Sequence, residues 1–295
     1  MPMVDPDMSL DQLAPIIVAT FPELAGSSFS LLSEGWDSVA VDVDDRLIFK
    51  FPRNADAERA LAMEARLLAA IRPVIATPVP DLEVFETPRR FSRHCKLKGE
   101  HLLTADYERL PDDDRQHLAR AMAQFFAQLH RLERQVMADA GAKALEGWPH
   151  PDYVAERALP QLSGVDRALA ERTLVAWQEL PPDPLGEVYG FFDGHGWNMA
   201  FDHQRRRLNG IYDFADSGFG PLQQEFVYPS LVSHDLTARI IGEYEAMTGK
   251  ALNRERINLL TGVLHLVEIA WALENPDMLA TLLGFYRHWA DRQPV

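Results

Sequence analysis

The stretch SVAVDVDDRLIFKFPRNADAERALAMEARLLAAI, residues 38–71, changes its hydrophobic period once, and few folds accommodate the change. Its first half alternates around Asp44-Asp45, which predicts a hairpin turning on that pair. Its second half is apolar at helical spacing from Asn54 or Asp56 onward, which predicts an amphipathic helix. SFSLLS before it and RRFSRHCKL after it read as further strands, with the proline-rich RPVIATPVPDLEVFETP extended between. Near the N-terminus, Ser9 with Gln12 three residues on is a capping-box pattern leading into another helix.

Beyond Lys98-Gly99-Glu100 the patterns become long and helical, from DDDRQHLARAMAQFFAQLHRL to PDMLATLLGFYRHWADR, with short β-like stretches embedded at 187–214. The reading is an α+β chain of two lobes. A small antiparallel-sheet lobe with one helix takes residues 1–97, and a larger, mainly helical lobe takes 98–295. A length of 295 residues suits two units better than one core.

Charge narrows the partners. With 29 Lys+Arg against 44 Asp+Glu the net charge is -15, which disfavours nucleic acid and anionic lipid and favours a cationic ligand. Cys95 is the single cysteine, so neither an intrachain disulfide nor a Cys-rich zinc site is available. The start, MPMVDPDMSLDQL, is acidic where a signal peptide would be basic. No apolar run approaches a membrane span, because GVLHLVEIAWAL is interrupted by His265 and Glu268. A cytoplasmic protein, monomer or homodimer, is expected.

Three features occur in an order that suits phosphoryl transfer. Lys50 sits inside LIFKFP between Phe49 and Phe51, so alternation turns it away from both, and a lysine there is either exposed or paired with an anion. Glu64 lies on the following helix among Leu61, Leu67 and Leu68; alone it reads as a solvated helix residue, but after a strand lysine it suggests the ion pair that kinases place on nucleotide phosphates. FFDGHGWN, residues 191–198, then carries Asp193 and, five residues later, Asn198, with Asp213 a further 15 residues on in YDF. Turn chemistry alone favours Asp, Gly and Asn in such a loop. The kinase alternative makes the first Asp the base and the Asn and second Asp the Mg²⁺ ligands, oxygen donors that suit a hard cation.

EGWDSVAVDVDDRLIFKFPR, MEARLLAAI, DGHGWN and GIYDFADSGFG together resemble the aminoglycoside phosphotransferase family of small-molecule kinases, over essentially the whole chain. The resemblance implies a bilobal protein-kinase-like fold with ATP or GTP and Mg²⁺ as cofactors. It implies Lys50 on the α- and β-phosphates paired with Glu64, Asp193 as catalytic base, and Asn198 and Asp213 as metal ligands. It further implies that the loop SEGWDS, residues 33–38, covers the nucleotide, with Ser38 on phosphate, and that the backbones of Cys95 and Leu97 hold the base. His195 matches the second histidine of the family loop H-G-D-L-H-x-x-N, as a structural or catalytic group.

Two departures stand out. Phe191-Phe192 replaces the family's His-Gly before the base, and a phenylalanine can only pack, so loop support must come from elsewhere. Gly220-Pro221-Leu222 replaces Gly-Asp-Pro, with Glu225 where an Asp is common. Asp216 and Glu225, as substrate-facing or loop-supporting carboxylates, point to an aminoglycoside-like or other amine-bearing acceptor. The alternatives are a catalytically impaired nucleotide-binding homologue and a kinase for another alcohol such as choline, homoserine, fructosamine or a macrolide. A metal-dependent hydrolase using Asp193, His195 and Asp213 would need neither Lys50 nor a nucleotide.

Overall fold

The computed structural model describes residues 8–32 and 38–293. The part of the expected nucleotide-covering loop at 33–37 lies outside the described residues. Among these, the chain forms ten α-helices and nine strands, numbered here along the chain. They belong to two compact units, each discontinuous in sequence. The first comprises Met1–His101, Leu132–Lys143 and Asn198–Ser217; the second comprises Leu102–Arg131, Ala144–Trp197 and Gly218–Val295.

The first unit is built on an antiparallel sheet of β1 (Phe29–Leu31), β2 (Ser38–Val43), β3 (Leu47–Pro52), β4 (Glu83–Phe85) and β5 (Phe91–Cys95), in the order β1-β2-β3-β5-β4. The β2–β3 hairpin turns at Asp44-Asp45, both at positive φ (56° and 54°), a backbone state that Asp tolerates better than most residues. Alternation along β3 sends Phe49 and Phe51 into a core with Leu13 and Ile17 of α1 (Leu10–Thr20) and with Phe21 and Phe91. It sends Lys50 to the opposite face, towards α2 (Ala55–Ile71). Asn54 caps α2 by accepting the Ala57 N–H at 2.9 Å, so the helix starts directly after the strand that carries Lys50.

A second hairpin, β7 (Met199–Asp202) with β8 (Arg207–Ile211), completes this unit with α5 (Arg134–Ala140). It is tied to the segment after β5 by reciprocal Glu100–Phe201 backbone hydrogen bonds of 2.9 and 2.8 Å. Gly99, at φ 142°, permits that approach, since a Cβ there would lie 2.6 Å from the Ala200 carbonyl carbon.

The second unit holds α3 (Thr104–Glu108), α4 (Asp112–Leu129), α6 (Pro151–Ala158), α7 (Gly164–Gln178), α8 (His234–Thr248), α9 (Arg254–Trp271) and α10 (Pro276–Ala290). A two-stranded ribbon of β6 (Glu187–Gly190) and β9 (Gly218–Pro221) lies among them. One core gathers Val154, Ala158, Leu174, Leu266, Tyr286 and Trp289 around α9. The expectation that no run reaches membrane-span length is corrected here. The helix Arg254–Glu274 is long and apolar enough by composition, but 67% of its apolar window is buried in the folded protein. His265 interrupts its hydropathy without interrupting its burial, being 1% exposed, whereas Glu268 is partly buried.

Candidate active site

In the first unit the charged residues singled out in the sequence converge. Lys50 Nζ lies 3.8 Å from Asp213 Oδ1 and 4.0 Å from Glu64 Oε2. Those distances make ion pairs but exceed hydrogen-bond length, so the ammonium keeps donor capacity for a further anion. Burial opposes its charge, but Glu64 and then Asp213 outweigh burial and raise its pKa above the ordinary lysine value. Glu64 is only 4% exposed and accepts the Phe214 N–H at 3.1 Å, which fixes the backbone next to Asp213.

Asp213 itself has φ 70°, a strained state for a residue with a side chain. Its carboxylate stays half exposed. The β7–β8 hairpin places Asn198 and Asp213 at one end, because Asn198 precedes β7, Asp213 follows β8, and the Tyr212 N–H closes onto the Asn198 carbonyl at 3.1 Å.

Cross-strand register puts Ser92 opposite Lys50 and His94 opposite Ile48, hence on the Lys50 face of the sheet. Ser92 Oγ and His94 Nδ1 are buried and have no hydrogen-bond partner among the described residues. Burial and then the charge of Lys50 hold His94 neutral, with its pKa lowered to about 3. Orphaned neutral polar groups beside a cation are the complement of a base attached to phosphates, so these residues fit a nucleotide. Ser38 opens β2, Cys95 closes β5 at the surface, and Leu97 follows it on the same connection. Asp216 is exposed in this unit.

The second unit carries Asp193 and its supports. His195 Nε2 lies 3.0 Å from Asp193 Oδ1, and its backbone N–H donates to the Asp193 carbonyl at 2.8 Å. The support missing from Phe191-Phe192 comes from Glu225. Its Oε2 accepts the Phe191 N–H at 2.9 Å and its Oε1 the Phe192 N–H at 2.8 Å. His130 Nε2 lies 3.2 Å from Oε2, and His130 Nδ1 is 2.8 Å from the Tyr244 hydroxyl. A carboxylate only accepts, so the imidazole donates through Nε2 to Glu225 and meets the tyrosine hydroxyl at Nδ1. Burial and then Glu225 raise the Tyr244 pKa, keeping that hydroxyl protonated.

Both phenylalanines are buried, Phe191 edge-on to Phe125 at 5.7 Å. Gly190 is needed beside them, since a Cβ there would collide with Glu225 Oε2. Glu225 is 0% exposed and its oxygens are spent on the loop, so of the two roles expected for it the contacts match loop support and not a surface that draws in a cation.

Glu268, by sequence a break in an apolar run, also couples electrostatically to this loop. Glu268 of α9 is pushed up to about 7, by burial first and then by Asp193, with His195 pulling the other way. Tyr228, buried at the end of the segment after β9, also feels Asp193 and Glu268. Among the described residues no three His, Cys, Asp or Glu side chains converge to hold a metal ion. Mg²⁺ held with nucleotide phosphates needs few protein oxygens.

Comparison with known proteins agrees with the fold. The structure is similar to the GDP complex of wild-type aminoglycoside 2'-phosphotransferase-IIIa, at 18% identity and TM-score 0.79 over 95% of this chain and 97% of that one. It is similar to the macrolide 2'-phosphotransferase MphH from Brachybacterium faecium, at 17% identity and TM-score 0.66 over 96% and 99%. The streptomycin–ATP ternary complex of APH(2'')-IIa matches at 17% identity and TM-score 0.63 over 97% and 99%. No curated protein matches the chain. The model of the phosphotransferase enzyme family matches residues 28–260, most of the sequence, and the chain is therefore a small-molecule phosphotransferase belonging to that family.

Proposed function

We propose that the protein transfers the γ-phosphoryl group of ATP or GTP to a hydroxyl of a small, amine-bearing acceptor. The observation that carries this reading is Lys50, poised between Glu64 and Asp213 with two orphaned polar groups on its face of the sheet. Structural neighbours solved with GDP, with ATP and with aminoglycosides support it by analogy.

In this reading Lys50 binds the α- and β-phosphates. Ser38 contacts them, and the backbones of Cys95 and Leu97 hold the base. Asn198 and Asp213 would hold Mg²⁺, which when bound neutralises phosphate charge. Asp193 orients the acceptor hydroxyl and takes its proton as the acceptor oxygen bonds to the γ-phosphorus and the bond to the leaving nucleoside diphosphate breaks. His195 fixes the Asp193 carboxylate, and Glu225 with His130 fixes the backbone before it. Because that support replaces what Phe191-Phe192 lacks, active catalysis is favoured over an impaired homologue.

The test is thermal unfolding with ATP or GTP and Mg²⁺, on wild type and on Lys50→Ala. A ligand that binds only the folded state raises the apparent Tm by mass action. A Mg²⁺-dependent rise that shrinks in the variant supports the reading; no rise at millimolar nucleotide overturns it.

A further inference from the structure

Between a pair of tryptophans and the start of α9 the second unit holds a cleft of about 560 Å³, inside the range of about 300–1,000 Å³ that takes small organic ligands. Every residue lining it belongs to that unit, and none of those assigned to phosphoryl transfer is among them. Its walls are largely rings. Trp148 and Trp177 meet edge to face at 6.0 Å and 66°, half-buried against the core around α9. Pro181 and Pro182, on the connection after α7, and Pro221, closing β9, add apolar surface and carry no backbone N–H. Such walls favour a flat apolar body and supply few donors.

Charge in the lining is confined to three side chains. Asp183 is committed. Its Oδ1 accepts the Leu185 N–H and the Gln223 side-chain amide, both at 2.9 Å, and its Oδ2 accepts the Gln223 backbone N–H at 2.8 Å. Glu187, at the start of β6, is exposed to water, where salt screens its charge. Arg256 is different. Its Nη1 donates to the Pro181 carbonyl at 2.8 Å, whereas its Nε is out of water with no hydrogen-bond partner, and the guanidinium makes no ion pair among the described residues. Two residues earlier on the same helix, Arg254 is closed by Glu245 at 2.7 Å.

A half-buried guanidinium without a counter-ion has given up water and gained little for it. The bond to Pro181 leaves the Nε–Nη2 edge, whose two parallel N–H groups match the two oxygens of a carboxylate. We propose that this cleft is a second ligand site, which takes an aromatic carboxylate with its ring against Trp148 and Trp177 and its anion on the Nε–Nη2 edge of Arg256. Binding there requires neither nucleotide nor acceptor.

Calorimetric titration of the full chain with 2-naphthoate tests it. The comparison ligands are 2-naphthamide, which keeps the ring without the charge, 2-naphthylmethylamine, which reverses the charge, and cyclohexanecarboxylate, which keeps the anion without the aromatic ring. 2-Naphthoate should bind at one site and about tenfold or more tightly than each of the three. Arg256→Lys, which keeps the positive charge and a donor for Pro181 but loses the fork, should weaken it about tenfold, and so should Trp177→Leu. Trp177→Phe, which keeps a ring and guards against a folding artefact, should retain most of the affinity. No binding of 2-naphthoate at millimolar concentration, an amine bound as tightly as the carboxylate, or unchanged affinity in Arg256→Lys would overturn the proposal.

Discussion

Each unit holds one buried glutamate against the backbone beside a candidate aspartate, and the two are bonded differently. In the first, Glu64 accepts one amide, that of Phe214 next to Asp213, and stands 4.0 Å from Lys50. In the second, Glu225 accepts two amides just before Asp193, at 2.8 and 2.9 Å, and is closed off by His130 at 3.2 Å. Glu64 is thus half of an open electrostatic site, its lysine still able to take a phosphate. Glu225 belongs to a completed network. An open pair costs stability to keep charged groups unsatisfied and returns it on binding, whereas a completed network acts by holding geometry.

Four substitutions would break or sharpen that contrast. Glu225→Ala should be the most damaging, lowering stability by about 3–5 kcal/mol in urea unfolding, since it strands two buried N–H groups and an imidazole. Glu268→Gln should do the opposite. A carboxyl that titrates near 7 in the native protein against an ordinary 4.5 is protonated more readily folded than unfolded. Its ionisation therefore subtracts stability progressively as pH rises from about 4.5 to 7 and fully above. Removing the charge should raise stability by about 2 kcal/mol at pH 8 and change little at pH 4, read from Tm at the two pH values.

Glu64→Gln keeps an acceptor for the Phe214 amide but loses the charge. Stability should hardly move while nucleotide affinity falls about tenfold in titration, about 1.4 kcal/mol. Equal losses of stability at 64 and 225 would erase the distinction between the two glutamates. Tyr244→Phe, at the outer end of the network, should cost about 1 kcal/mol of stability with nucleotide affinity intact.

The open site was largely legible in the sequence, and the closed network was not. Lys50, Glu64 and Asp213 lie on a strand, a helix and a strand end whose periods could be read, and a charged residue in such a pattern announces itself. Glu225 holds backbone amides, which every residue but proline possesses, so Phe191 and Phe192 gave no sign of what supports them. His130 and Tyr244 come from α4 and α8, far apart in the chain. A lone histidine ending an apolar helix was the one available signal. Glu268 was read as a break in an apolar run, because sequence does not say which charges a helical carboxylate will feel once the chain is folded.

In the proposed mechanism Asp193 handles the acceptor proton and Asp213 serves the bound nucleotide. The most direct test compares Asp193→Asn with Asp213→Asn for Mg²⁺-dependent ATP or GTP affinity and for acceptor-stimulated nucleotide consumption. We predict that Asp193→Asn binds nucleotide like wild type but loses turnover by about a thousandfold or more, while Asp213→Asn loses the Mg²⁺-dependent part of binding. Turnover within tenfold of wild type in Asp193→Asn, or unchanged Mg²⁺-dependent binding in Asp213→Asn, would contradict it.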